Sequence, residues 1–183
     1  EPVCPVYEEC GGCQLQHLSY EAELKEKREQ VKAALERIGH LRDIHVAPTI
    51  GSDQPLYYRN KMQFPVSGKR GKLQIGCFAL NTHNVIDVTD CCIQKKKNNA
   101  IAAVVRKWMK QFKILPYDED KGTGTVRHIM GRVGVHTGEI MVCLVTARDT
   151  VPHLKELVQM LKAEIPGVKS VVQNVNKRST NVI

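Results

Sequence analysis

Three cysteines fall close together near the start of the chain, Cys4, Cys10 and Cys13, spaced C-x5-C-x2-C with Gly11 and Gly12 between the last two. Glycines between thiols let the backbone wrap a metal centre tightly and bring amide N–H groups near sulfur with no Cβ in the way. A fourth thiolate must come from Cys77, Cys91, Cys92 or Cys143. Structural zinc sites usually pair two short cysteine knuckles, whereas three thiols in one loop plus a distant fourth is common for a cubane iron-sulfur cluster. The spacing therefore favours a 4Fe-4S cluster over zinc, with zinc as the alternative. Cys91 and Cys92 point in opposite directions on an extended backbone, so one of them is expected to reach the metal. Cys77, in a strand, and Cys143, in an apolar run, read as buried core thiols. Seven cysteines is an odd number, and a tight cluster in a reducing compartment suggests metal ligands rather than a disulfide framework.

The second chemical feature is charge. Lys and Arg total 27 against 19 Asp and Glu, a formal net charge of +8. The stretch from Glu21 to Arg37 is balanced, so the excess lies downstream. Such a field attracts a polyphosphate and makes binding salt-dependent. Arg59 and Lys61 fall on one face of an expected strand, about 7 Å apart by the strand rise. Lys69 and Arg70 lie at a hairpin tip, and Arg127, His128 and Arg132 are the next candidates for RNA contacts. Tyr57 or Tyr58 could stack on a base, and His17 is expected to support the cysteine loop.

The elements that must position these groups are legible in outline. Ser19 reads as an N-cap, Glu21 and Glu23 suit the first turn, and Gly39 supplies a stop. Tyr20, Leu24, Val31, Leu35 and Ile38 repeat at helical spacing, which predicts a helix with a packed stripe. A weak strand is expected over Ile44 to Ile50. From Tyr57 the period changes to two, with returning strands over Leu73 to Ala79 and Val85 to Thr89 that carry Cys91 and Cys92 back toward the cysteine loop. A second helix from about Asn98 to Phe112 is ended by Pro116, and strands are expected over Val126 to Val135 and Ile140 to Thr146. A third helix around Leu154 to Leu161 precedes a last strand, Val168 to Val175. The order implies an α+β fold with helices packed on largely antiparallel sheets and an N-terminal cluster loop. The expected division is a cluster module with β-hairpins over residues 1–97 and an α+β RNA-binding segment over 98–183. No run of eighteen apolar residues and no charged-then-apolar leader is visible, so a cytoplasmic monomer without membrane contact is expected.

Cys4-Pro5-x4-Cys10-Gly11-Gly12-Cys13-x2-Gln16-His17, followed by a charged helix, resembles the cluster motif of the iron-sulfur branch of bacterial S-adenosylmethionine-dependent 23S ribosomal RNA (uracil-5-)-methyltransferases. Further similar stretches are Tyr58-Arg59-Asn60-Lys61, Gly76-Cys77-Phe78, Asp87-Val88-x2-Cys91, Arg127-His128-Ile129 with Arg132, and Asn174-Val175-Asn176. The resemblance implies that Cys4, Cys10, Cys13 and Cys91 hold the cluster and that 23S ribosomal RNA is the partner. The run Cys92-Ile93-Gln94 is similar to the Gram-positive subgroup. Family members attack carbon 6 of uracil with a cysteine thiolate, methylate carbon 5, and remove the carbon-5 proton with a glutamate. The Ser-Cys-Asn-Pro motif that supplies the thiolate and the glycine-rich turn that holds S-adenosylmethionine have no match here. Gly122-Thr123-Gly124 lacks the strand-turn-helix context of a cofactor turn. No catalytic or cofactor-binding residue is therefore assigned. The expectation is a fragment without the OB-like and cofactor-binding catalytic domains, serving cluster binding and RNA recognition and inactive alone. The alternative is a free-standing iron-sulfur or zinc RNA-binding adaptor.

Overall fold

The computed structural model describes residues 1–68 and 72–178. Its elements run α1 (Tyr20–Arg37), β1 (Lys61–Ser67), β2 (Gln74–Phe78), β3 (Val85–Asp87), α2 (Lys96–Gln111), β4 (Val126–Val133), β5 (Ile140–Thr146), α3 (Leu154–Glu164) and β6 (Val168–Val175). The strands form one six-stranded sheet in the order β3-β2-β1-β4-β5-β6. Every pairing is antiparallel except β5 with β6, which α3 joins as a parallel crossover. The expected α+β class, with an antiparallel sheet and packed helices, is what the chain adopts.

The core lies between the sheet and α2 with α3. Met62, Phe64, Ile75, Ile129 and Leu144 supply the sheet side, and Ile101, Val105, Trp108, Leu157 and Leu161 the helix side. Each such side chain, fully buried, stabilises the fold by roughly 1.5–3 kcal/mol. The Trp108 indole N–H is also satisfied, donating to the His153 carbonyl at 2.8 Å. Arg106 ties α2 to the sheet edge through Asp87 at 2.7 Å. α2 ends without the help of Pro116: Lys113 takes a left-handed conformation, φ 54°, which stops helical hydrogen bonding after Gln111.

Three local expectations are corrected. Ser19 does cap α1, its hydroxyl accepting from the Ala22 amide at 3.2 Å, but the helix buries no residue and leaves Val31 and Ile38 exposed. The segment expected as a strand over Ile44 to Ile50 is irregular. It lies along α1, where Arg28 donates to the Val46 carbonyl (2.8 Å) and Thr49 to the Leu24 carbonyl (2.9 Å). These bonds occupy backbone groups that a ladder would otherwise need. Finally, β1 begins at Lys61 rather than Tyr57. Tyr57 has φ 54°, incompatible with a strand, and its amide donates to the Cys92 carbonyl at 2.8 Å.

That last departure positions the site. The amide of Arg59 donates to the Ile93 carbonyl and that of Lys95 to the Arg59 carbonyl, so residues 57–59 clasp the loop carrying Cys91 and Cys92. The amino-terminal loop docks on the end of β2 through a Cys10–Ala79 bridge and a Gly11 amide bond to the Phe78 carbonyl at 3.0 Å.

Candidate functional site

These two docking events bring six thiols together. Cys4, Cys10, Cys13, Cys77, Cys91 and Cys92 line one cavity of about 150 Å3, shared with Gln16, Arg59 and Phe64. Two readings of single cysteines need correction. Cys91 and Cys92 both reach the cavity, because the chain turns over residues 92–93 instead of running extended. Cys77 is no inert core thiol, since its side chain hydrogen-bonds Cys10 within the cavity. Cys143 is buried in β5, as expected.

The hydrogen bond from Cys77, aided by the Gly12 amide at 3.4 Å, holds the Cys10 thiol down at about 6 despite burial. The same bond pushes Cys77 upward, with burial adding to the effect. Burial also raises Cys13 and Cys91, and raises Cys92 to about 11. Most of the thiols are therefore protonated at neutral pH in the free protein, and a bound metal would have to displace those protons. Gln16 spans the cavity wall, accepting from the Cys4 amide at 3.3 Å and donating to Cys92 Sγ at 3.3 Å. Tyr7 braces the loop, donating to the Gln14 carbonyl at 2.7 Å and lying 2.8 Å from His17 Nδ1. His17 thus supports the cysteine loop. A Cβ at Gly12 would stand 3.4 Å from Cys10 Sγ and 3.8 Å from Cys77 Sγ, inside the thiol cavity.

Among the described residues, no group of three or more His, Cys, Asp or Glu side chains is disposed to hold a metal ion. The thiols surround a space rather than a point. The two participants that sequence reasoning passed over, Cys77 and Gln16, had weak signals: Gln16 follows Cys13 at the spacing of the cysteines themselves, and Cys77 follows a strand glycine.

The basic candidates divide. Lys61 on β1 stands directly opposite Arg132 on β4, and both are exposed. Like charges in facing strand positions repel, so this pair gains from a bound anion. Arg59 lies just before β1 and folds its guanidinium onto the Lys61 carbonyl at 3.2 Å. Arg127 is buried. Its guanidinium lies 4.8 Å from the Tyr117 ring centre and donates to the Asn176 carbonyl at 3.0 Å. His128 is also buried, on the wall of a second cavity. Lys69 and Arg70 lie outside the described residues.

Comparison with known proteins adds three findings. No family model matches the chain. It is 46% identical over 183 residues to an uncharacterized RNA methyltransferase of Halalkalibacterium halodurans and 45% identical over 185 residues to one of Clostridium acetobutylicum. The match covers 100% of this chain and 40% of each relative, so the chain spans well under half the length of these relatives. In fold it is similar to the Pyrococcus abyssi tRNA (uracil-54, C5)-methyltransferase solved in complex with S-adenosyl-L-homocysteine, with a TM-score of 0.72 and 24% identity over 97% of this chain and 39% of that one.

The similarity is to RNA methyltransferases. Two expectations are corrected by it. The relatives' names carry no ribosomal substrate and the solved structure is a tRNA enzyme, so the 23S assignment and its Gram-positive subgroup do not stand. Nearly the whole chain overlies part of a methyltransferase bound to its cofactor product. The reading of the chain as an inactive cluster-binding and RNA-recognition fragment set apart from the catalytic, cofactor-binding domain is therefore overturned, as is the free-standing adaptor. No helix among the described residues is long and apolar enough to cross a membrane.

Proposed function

We propose that the chain belongs to an RNA methyltransferase that uses S-adenosylmethionine as methyl donor and carries a 4Fe-4S cluster in the six-thiol cavity. The observation that carries the enzymatic reading is the full-length similarity to proteins named as RNA methyltransferases. The fold shared with a methyltransferase in complex with S-adenosyl-L-homocysteine supports it.

The donor set fits a cluster better than a single ion. Zinc bound by four thiolates at about 2.3 Å draws their sulfurs to within about 3.8 Å of one another. A cubane is several atoms across, and its ligands stand further apart. A cavity of about 150 Å3 exceeds the roughly 30 Å3 share of one water in liquid, and the missing Cβ at Gly12 keeps its wall clear. Cys4, Cys10, Cys13 and Cys91 would hold the cluster. Cys77 and Gln16 would donate hydrogen bonds to the ligand sulfurs or their neighbours, the kind of contact that tunes a cluster. When bound, the cluster would cross-link the amino-terminal loop to the 91–95 loop, and residues 57–61 are clasped to that loop. In this way it would brace Arg59 and Lys61.

Arg59, Lys61 and Arg132 form the exposed face offered to an RNA backbone. Arg127 contributes from beneath, holding β4 to the segment after β6. The test is transfer of a labelled methyl group from S-adenosylmethionine to bulk bacterial RNA by the protein containing this chain, followed by nucleoside digestion. A labelled methylated nucleoside is expected. Label that fails to enter RNA while the protein is folded and binds S-adenosylmethionine contradicts the reading.

A further inference from the structure

β4 is bulged between Val126 and His128, where its register against β5 slips by one residue. A bulge interrupts the alternation of side chains and re-aims them. As a result two consecutive residues, Arg127 and His128, both line a single cavity of about 360 Å3. This cavity is separate from the thiol cavity and shares no lining residue with it.

Arg127 is committed to Tyr117 and to the backbone after β6. His128 is different. Its residue is 6% exposed, and its buried Nδ1 has no hydrogen-bond partner. A buried ring nitrogen left unpaired costs about 1–3 kcal/mol, and native proteins rarely leave one so without a use for it. Burial, with the Arg127 charge second, holds the imidazole down to about 4, so the ring is neutral and Nδ1 can serve as donor or acceptor according to tautomer. The rest of the cavity has aromatic and cationic parts. Phe78, stacked on His83 with ring centres 5.4 Å apart, and Tyr117 line its walls. Lys72, exposed, stands at its edge.

We propose that this cavity is a nucleobase subsite, in which an unstacked base lies against the aromatic walls, His128 Nδ1 hydrogen-bonds the edge of its ring, and Lys72 meets its phosphate. The volume is within the range of small-molecule pockets, and the components are those by which proteins hold splayed-out bases: a π surface, one edge-reading polar group and a cation for the backbone. The proposal deepens the RNA reading above and rests on it for the source of the base. A free nucleotide offers the same chemistry, and the experiment separates the two.

The full chain, labelled at histidine, is titrated by NMR with adenosine and uridine 5′-monophosphates, with a short single-stranded oligoribonucleotide, and with the same oligomer carrying one abasic position. The oligomer is expected to shift the His128 imidazole and Phe78 resonances, and the abasic oligomer to shift them less. His128→Leu keeps the apolar volume and is expected to weaken binding about tenfold, the loss of one hydrogen bond of about 1.4 kcal/mol. If that variant fails to fold, Lys72→Ala, at an exposed position, gives the second reading and is expected to weaken the oligomer severalfold. Oligomer binding that leaves the His128 and Phe78 resonances unmoved overturns the subsite while the RNA reading stands. Mononucleotides that shift these resonances when the oligomer does not bind support a nucleotide pocket and remove the RNA reading. No shift with any probe overturns the subsite and, if the oligomer does not bind at all, the RNA reading with it.

Discussion

The buried His128 makes a stability prediction that needs no ligand. Its ring is held down to about 4 in the folded chain, against an ordinary 6.5, chiefly by burial. Between these values the unfolded chain takes up a proton that the folded chain refuses, so stability rises with pH across that window. Above about 6.5 the ring is neutral in both states and the penalty vanishes. As pH falls to about 5, the unfolded state gains about 2 kcal/mol from this group alone, and the loss approaches about 3 kcal/mol toward pH 4. Neighbouring carboxylates titrate in the same range, so the measurement is a difference. Urea unfolding is followed by fluorescence of the single, fully buried Trp108 in wild type and His128→Leu at pH 7 and pH 5. The wild type is expected to lose about 2 kcal/mol more than the variant between the two conditions. Equal losses would refute the assignment of a neutral, desolvated imidazole to this position.

Three further outcomes are expected. Gly76→Ala places a Cβ 2.1 Å from the Ile86 carbonyl oxygen on the paired strand; because backbone cannot step aside cheaply, a loss of about 3 kcal/mol or more in urea unfolding is predicted. Lys61→Ala with Arg132→Ala, which removes a facing pair, should weaken RNA binding and lower the slope of log K against log salt by about 1.4 to 1.8; an unchanged slope removes this face from the interface. Cys91→Ser should abolish metal content measured by mass spectrometry while Cys92→Ser retains it, and equal loss from both would show that the ligand choice is wrong.

What could be read in the sequence was what periodicity and local chemistry control. The stripe Ile101, Val104, Val105, Trp108 and Met109 settled α2, and alternation settled β1 and β2, because their neighbours are the core itself. α1 misled for a physical reason. Its apolar residues repeat at helical spacing, yet the helix contacts little of the described chain and buries none of them. Tyr57 looked like a strand residue, but a left-handed backbone lets it hold the Cys92 loop. The convergence of the amino-terminal cysteines with one near residue 91 was legible from spacing and hairpin topology. The entry of Cys77 and of both Cys91 and Cys92 was not, since it depends on a turn and on loop docking between distant segments. Nor was the burial of Arg127 and His128 on the same cavity, which follows from a bulge that no local residue type announces.

The most direct test of the account concerns the six thiols. Purified without oxygen, the protein containing this chain should be brown, hold iron and acid-labile sulfide in near-equal amounts, and bleach on addition of dithionite. A colourless protein with stoichiometric zinc and no sulfide, or one with no metal at all, would contradict a cluster in the cavity of Cys4, Cys10, Cys13 and Cys91.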